Sequence, residues 1–343
     1  MLIYTLRKIN LFIFTFVGLS LLSFSLIHIV PGDPVYLLTG LENLSEEQYQ
    51  TLSHQLYLDR PFILQYFHYL GNIFNGEWGY SLTSGESVWV EIKQTFPATL
   101  ELVFYALVVA MLVGLPIGSL AALKKESITD HTVMTLSLLG ISIPVFWWGL
   151  LMIMILALTL GWLPMSGRLS LLYDIEPVTN LILIDILLSN QDYKEAAFQN
   201  ALAHLVMPTL VLATVPTTQV IRTTRATMLT LLKKNFIKAA QARGIGRWNV
   251  LRRHALPNSL LPVSRQLGLQ ISTLMTGAMV TENIFSWPGI GKWLVASLYQ
   301  RDYPAIQGGL LAVSTFIILA TVINDLLHTA SDPIARKTYN AAS

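Results

Sequence analysis

The sequence predicts an all-α polytopic membrane protein with six transmembrane helices and both termini on the cytoplasmic side. Three observations carry this reading. Of the 343 residues, 53% are hydrophobic and 12% charged, with a mean hydropathy of +0.55; a soluble domain carries about 25% charged residues. Six stretches, at about 9–30, 98–123, 133–160, 203–221, 267–285 and 305–328, come near or exceed the roughly 20 apolar residues that cross about 30 Å of hydrocarbon. The cations are divided unevenly between the segments joining these stretches. Helix is the default for each span, because lipid offers no partner to an open strand edge.

In the first span, Arg7 and Lys8 precede an apolar run to about Val30. A secretory signal has an apolar core of roughly 7–15 residues and a small-residue cleavage site. This run is longer and ends His28-Ile-Val-Pro31, so an uncleaved span with its basic end inside is expected. The second span contains Gly114-Leu-Pro-Ile-Gly118, a G-x-x-x-G spacing that lets helix backbones approach. Pro208 and Pro216 interrupt the fourth, a break that bundled helices tolerate. The run "LILIDILLSN" at 181–190 is too short to cross and carries Asp185; it suits an interfacial or external helix.

Sidedness follows from the basic residues. Sixteen of the 22 Lys and Arg fall on one side: Arg7, Lys8, Lys124, Lys125, ten between Arg222 and Arg265, Arg336 and Lys337. Cytoplasmic loops carry that excess, which puts the N- and C-termini inside. Sixteen of the 20 acids fall on the other side, in agreement. Segments 31–97 and 161–202 are then external. In the first, Ser45-Glu-Glu-Gln48 matches a capping box and predicts a short helix to about Tyr57. Asp59-Arg60-Pro61 breaks it, and a helix restarts through "FILQYFHYLGNIF" with Phe62, Tyr66, Tyr69 and Ile73 at helical spacing. Those aromatics fit either the headgroup level or packing against the bundle.

Several chemistries lack their residues. There is no G-x-x-x-x-G-K-[ST] motif; "GIGKW" at 289–293 has Ser286 where the first glycine belongs, so the chain has no P-loop for ATP hydrolysis. H-E-x-x-H and G-x-S-x-G are absent, as is cysteine, and the seven histidines lie far apart. No catalytic, cofactor or metal site is expected. A charge at the bilayer centre costs about 2.5–3.5 kcal/mol. Glu101, Glu282 and Asp325 fall near span ends, where solvation is expected to be cheap. Nearly charge-free span centres argue against a proton-coupled carrier or ion pump and leave a conduit energised from elsewhere.

The informative loop follows the fourth span. "ATMLTLLKKNFIKAAQARG" (226–244) places Leu229, Leu232, Phe236 and Ala239/Ala240 at helical spacing. Gly244 is a natural stop, since left-handed backbone costs glycine least. A second short helix puts Trp248, Leu251 and Ala255 on one face, and Pro257 and Pro262 are expected to end it. Three readings compete. A nucleic-acid unit would need a third helix and a single basic face; neither is present. A loop basic only through its orientation leaves the paired alanines, the glycine and the aromatics unexplained. Docking on a soluble partner explains them, because small residues permit close approach and Phe236 and Trp248 can bury in a partner's surface. A stand-alone channel or carrier with a regulatory basic loop is the runner-up for the whole chain.

At these residues a resemblance becomes specific. Ala239-Ala240-x-x-x-Gly244, followed by His254-Ala-Leu256-Pro257, resembles the coupling motif of the membrane subunits of binding-protein-dependent ABC importers. Lys238 stands where that motif has Glu, and His254 where it has an apolar residue; Arg-His-Ala-Leu is usual in the peptide-importing branch. "HIVPGDP" (28–34), "FPATLEL" (96–102), "GWLPMSGR" (161–168), "TENIFSWPGIGKWL" (281–294) and "RDYPAIQGG" (301–309) are similar to dipeptide/oligopeptide permease subunits, and "VPTTQVIRTTRATM" looks closest to the Sap-type branch. The resemblance implies the ABC importer type-1 transmembrane fold. It divides the chain into an N-terminal helix plus periplasmic segment (1–97) and a core permease domain (98–343) with a coupling loop at about 226–262. It implies coupling roles for Phe236, Ala239, Ala240, Gly244, Trp248, Leu256 and Pro257. The implied partners are a second homologous permease, two P-loop ATPases carrying ATP and Mg, a periplasmic solute-binding protein and the lipid bilayer. The implied substrates are peptides, with antimicrobial peptides and polyamines attached to Sap systems.

Overall fold

The computed structural model describes residues 2–331; Arg336 and Lys337, counted above for sidedness, lie outside them. Among the described residues every named element is a helix, and one isolated antiparallel bridge joins Tyr80 to Ser87. The first apolar run forms α1 (Leu2–Ile29). The external segment that follows folds as α2 (Pro34–Thr39), α3 (Glu46–Gln55) and α4 (Phe62–Phe74). The capping box is formed: the Gln48 amide donates to Ser45 Oγ at 3.3 Å and the Ser45 amide to Gln48 Oε1 at 3.0 Å. The aromatics of α4 pack on the bundle rather than standing apart from it. Phe24 of α1 meets Phe62, Tyr66 and Tyr69 with ring centroids 5.1, 5.6 and 5.5 Å away.

Two long helices form the centre. These are α5 (Val88–Leu123) and, after α6 to α8, α9 (Lys194–Leu231). At 1.5 Å per residue each is longer than the hydrocarbon is thick. They share the most extensive helix–helix interface, and the G-x-x-x-G pair lies in it. A β-carbon on Gly114 would fall 2.6 Å from Val220 Cγ1, and one on Gly118 2.6 Å from the Ile221 carbonyl oxygen. Only hydrogen at these positions allows the backbones so close. The helix passes through both Pro208 and Pro216 without breaking. It is also the most enclosed of the long apolar helices, with 61% of its apolar window buried against 39%, 22% and 17% for the others. Both prolines are buried against neighbouring helices, which stabilise what proline weakens.

Two predicted spans are not single helices. Span 133–160 becomes α6 (Ile128–Ser142) and α7 (Val145–Met152), the latter continuing as a π-helix to Thr159, with a 101° bend between them. Pro144 is the cause. Its ring holds Ile143 in extended backbone, φ −81° and ψ 124°, as it does the residue before any proline. The short run gives α8 (Ile182–Leu188). Its Asp185 is buried and caps a turn, accepting from the Thr179 amide at 2.7 Å and hydroxyl at 2.6 Å.

After α9 come α10 (Asn235–Ala242), α11 (Arg247–Val250) with a π-turn over Leu251–Ala255, α12 (Leu256–Leu269) and α13 (Ile271–Ile284). Span 267–285 is thus divided at Gln270, and α12 and α13, of 14 residues each, are individually too short to cross. α14 (Ile290–Gln300) and α15 (Tyr303–Ser331) are the last of the described elements. Among the described residues, four helices are long and apolar enough to cross a membrane, or five if the bent α6–α7 pair counts as one span. Lys8 Nζ meets Asp325 Oδ2 at 2.5 Å, so the start of α1 and the far end of α15 share one side.

Candidate functional site

The segment singled out in the sequence folds as a compact elbow at one end of α9. A continuous helix over 226–244 was expected, but the chain turns at Leu232–Lys234 before α10 begins. The reason is a small core of its own: Met228, Ile237, Val250, Leu251, Ala255 and Ala122 from the end of α5 are buried together. To place Ile237 in that core the helix must change direction. Gly244 stops α10 as predicted, with φ +79°. Pro257 and Pro262 do not end the following helix. Helical backbone runs from Arg247 to Leu269, with Pro257 in the first turn of α12, where a missing amide hydrogen does no harm.

The predicted site residues divide into two sets. Phe236 is 46% and Trp248 66% exposed, and Ala239, Gly244 and Pro257 are exposed with them. All five are open to the surroundings, Trp248 at the edge of a groove lined by Leu112, Leu115 and Leu120 of α5. Ala240, expected at a docking face, is instead 8% exposed and packs into the small core, with Leu256 partly buried against it. Its methyl group is small enough to let α10 close on the end of α9. Ile237 and Val250, which the sequence reading passed over, are fully enclosed anchors; the three-residue step from Ile237 to Ala240 was the available signal.

A second unforeseen feature braces the elbow. Arg225, two turns upstream, donates from Nε to Asp130 Oδ1 at 2.5 Å and from Nη2 to Oδ2 at 2.7 Å. Asp130 is buried and also accepts the Glu126 amide at 3.0 Å. A two-point guanidinium–carboxylate contact fixes orientation as well as distance. It joins α6 and the turn after α5 to the helix that carries the elbow. An acid among cations at 130 was visible in sequence; its partner 95 residues away was not.

At the opposite end, Glu101 and Glu282 were expected to be solvated, and neither is. Arg168 donates to Glu101 Oε2 from Nη2 at 2.5 Å and from Nε at 3.1 Å, and its guanidinium lies 5.4 Å from the Trp287 ring centroid. Glu282 is fully buried and accepts from Thr99 Oγ1 at 2.5 Å and the Lys292 amide at 3.0 Å. Thr99 in turn accepts the Ile290 amide at 2.9 Å, and Trp287 Nε1 donates to the Ala98 carbonyl at 2.9 Å. Tertiary contacts, not span position, decide how these carboxylates are satisfied. The result is a rigid knot joining α5, α13 and α14. Asp130 is thus paired with Arg225 and Glu101 with Arg168, while Glu282 is held by hydrogen bonds alone, a positioned framework at each end.

Comparison with known proteins accounts for that framework. Residues 114–337 match the sequence profile described as binding-protein-dependent transport system inner membrane component, and residues 1–103 match that of the N-terminal membrane component of the same systems. The chain belongs to this family. It is a membrane permease subunit of an ABC transporter, not an enzyme. The di/tripeptide transport system permease protein DppB of Pseudomonas aeruginosa is 46% identical over 336 residues, 98% of this chain and 99% of the relative. The dipeptide transport system permease protein DppB of Escherichia coli K12 is 43% identical over 339 residues, with the same coverage. The peptide transport system permease protein SapB of Salmonella typhimurium is 38% identical over 341 residues, 99% of each chain. Likeness to the Sap type therefore extends over the whole length, at an identity below that of the two dipeptide relatives.

Proposed function

We propose that this permease forms half of the translocation pathway of an importer for short peptides in the bacterial inner membrane. The carrying observation is its end-to-end similarity to the two dipeptide permeases. The other half is a second homologous permease; two P-loop ATPases supply energy from ATP and Mg, and a periplasmic solute-binding protein delivers substrate. Six crossings with N-in/C-in topology fit the chain if the bent α6–α7 pair is the third and α12 with α13 the fifth. The Lys8–Asp325 contact supports termini on a common side, and the distribution of Lys and Arg supports the cytoplasm as that side. Residues 1–97 act as the N-terminal helix and periplasmic segment, and 98–343 as the core domain.

The elbow at 226–262 is the coupling loop. Phe236, Ala239, Gly244, Trp248 and Pro257 face the ATPase, while Ala240 and Leu256 hold the elbow to α5 and α9. Closure of the ATPase dimer pushes on this surface, and the Arg225–Asp130 pair passes the displacement to α6. Transport then follows from rocking between two states.

The test is uptake of a labelled dipeptide by vesicles holding the permease pair and both ATPases, with the binding protein supplied outside. ATP-dependent uptake is expected. Gly244→Arg should insert normally, fail to retain the ATPases and lose uptake. Uptake by the chain alone without ATP would overturn the proposal in favour of a stand-alone carrier.

A further inference from the structure

Outside the elbow and the knot, a groove of about 440 Å³ runs between α5 and α15. Its walls are two stripes at helical spacing: Trp89, Lys93 and Phe96 on α5, and Ala312, Phe316 and Leu319 on α15. Both helices start at the same end of the molecule, where a β-carbon on Gly308 would fall 2.5 Å from Val88 Cγ1. They leave that end side by side, so the groove runs along the direction in which the spans cross. From Ala312 to Leu319 it descends about 10 Å.

Its chemistry is graded along that length. At the upper end Trp78 stacks on Trp89 at 4.9 Å, and the exposed Lys93 ammonium lies 5.8 Å from the Trp89 ring centroid. Tryptophan pairs of this kind sit at headgroup depth. Below them the lining is apolar, with Phe96 and Phe316 edge to face at 5.1 Å. One polar atom interrupts it: the Thr315 hydroxyl is buried in the wall without a hydrogen-bond partner. Such a group is expensive to leave unpaired.

We propose that this groove holds an anionic phospholipid of the outer leaflet, with its phosphate on Lys93, an ester carbonyl accepting from Thr315 and one acyl chain lying between Phe96, Phe316 and Leu319. The single cation at one end and apolar walls below match an amphiphile lying along the membrane normal. Assignment to the outer leaflet rests on the orientation proposed above; the site itself does not.

The test uses the complete permease–ATPase complex in nanodiscs of phosphatidylethanolamine with phosphatidylglycerol bearing a diazirine on one acyl chain. Cross-links are expected in peptides containing 89–97 and 312–319. Lys93→Glu, a change at an exposed side chain, should reduce them at least threefold. Ala312→Trp, which fills the groove, should reduce them at least tenfold, while Leu112→Trp in the separate groove beside Trp248 should leave them unchanged. Absence of these cross-links, equal labelling of Lys93→Glu, or cross-linking of the same residues to the second permease would overturn the proposal. Dipeptide uptake is read on the same wild-type complex reconstituted in vesicles: cross-linking without uptake counts against the transport reading and leaves the lipid site standing.

Discussion

Arg225 grips Asp130 at two points, 2.5 and 2.7 Å, across the junction between α9 and α6. Removing one partner of a buried pair strands the other and costs about 3–5 kcal/mol. Because the Arg225 side chain is 25% exposed, a value toward the lower end is expected. Asp130→Ala and Arg225→Ala should each lower the thermal midpoint of the purified complex and reduce peptide uptake. The double variant should be less harmful than the sum of the singles. Additive losses in that cycle would show that the two side chains act independently.

Gly244 is an open position with a special backbone. Its φ is +79°, yet an added β-carbon would meet nothing within 4 Å. Gly244→Ala should therefore destabilise the elbow through backbone strain alone, by about 1–2 kcal/mol. Gly244→Asn should recover part of that, since Asn tolerates the left-handed region. Hydrogen exchange over α10 reads the difference, and equal exchange in both variants would contradict it.

The two glycines of the α5–α9 crossing should respond differently to rescue. At Gly114 the obstacle to a β-carbon is mainly the Val220 side chain; at Gly118 it is the Ile221 backbone. Gly114→Ala should impair folding and regain part of it when combined with Val220→Gly, since both Cγ1 at 2.6 Å and Cβ at 2.7 Å of Val220 stand in the way. Gly118→Ala should not be repaired by shortening any side chain. Amounts of folded protein in fluorescence-detected size exclusion give the comparison.

Gly289 faces the buried Glu282 carboxylate, and a β-carbon there would lie 2.3 Å from it. Gly289→Ala must displace Glu282 from Thr99 and Lys292, adding overpacking of about 1–3 kcal/mol to lost hydrogen bonds. The variant should yield little folded protein. Glu282→Ala combined with Gly289→Ala removes both the charge and the clash and should accumulate better than Gly289→Ala alone.

Much of this architecture was legible in the residues. The Ser45 capping box, the restart at Phe62, the short helix around Asp185, the stop at Gly244 and the close approach at Gly114 and Gly118 all depend on nearest neighbours or helical spacing. The family was also readable from short motifs, because the residues around Gly244 and Pro257 recur at fixed separations. Ala240 was misplaced because spacing identifies a helix face without saying which neighbour that face meets.

By itself, then, the sequence determined which segments are apolar, that they are helical, and how the cations are distributed, since these depend on composition and local backbone chemistry. Only the tertiary structure decided that Asp130 belongs with Arg225, that Glu101 and Glu282 are enclosed by Arg168 and Thr99, and that Ile237 rather than Phe236 anchors the elbow. The Pro144 bend lies between these cases: its cause is local, but hydropathy averaged over a span conceals it. Apolar periodicity marks a surface to be covered, and in lipid many helices cover it equally well. The partner is selected by steric fit at glycines and by long-range pairing of the few buried charges.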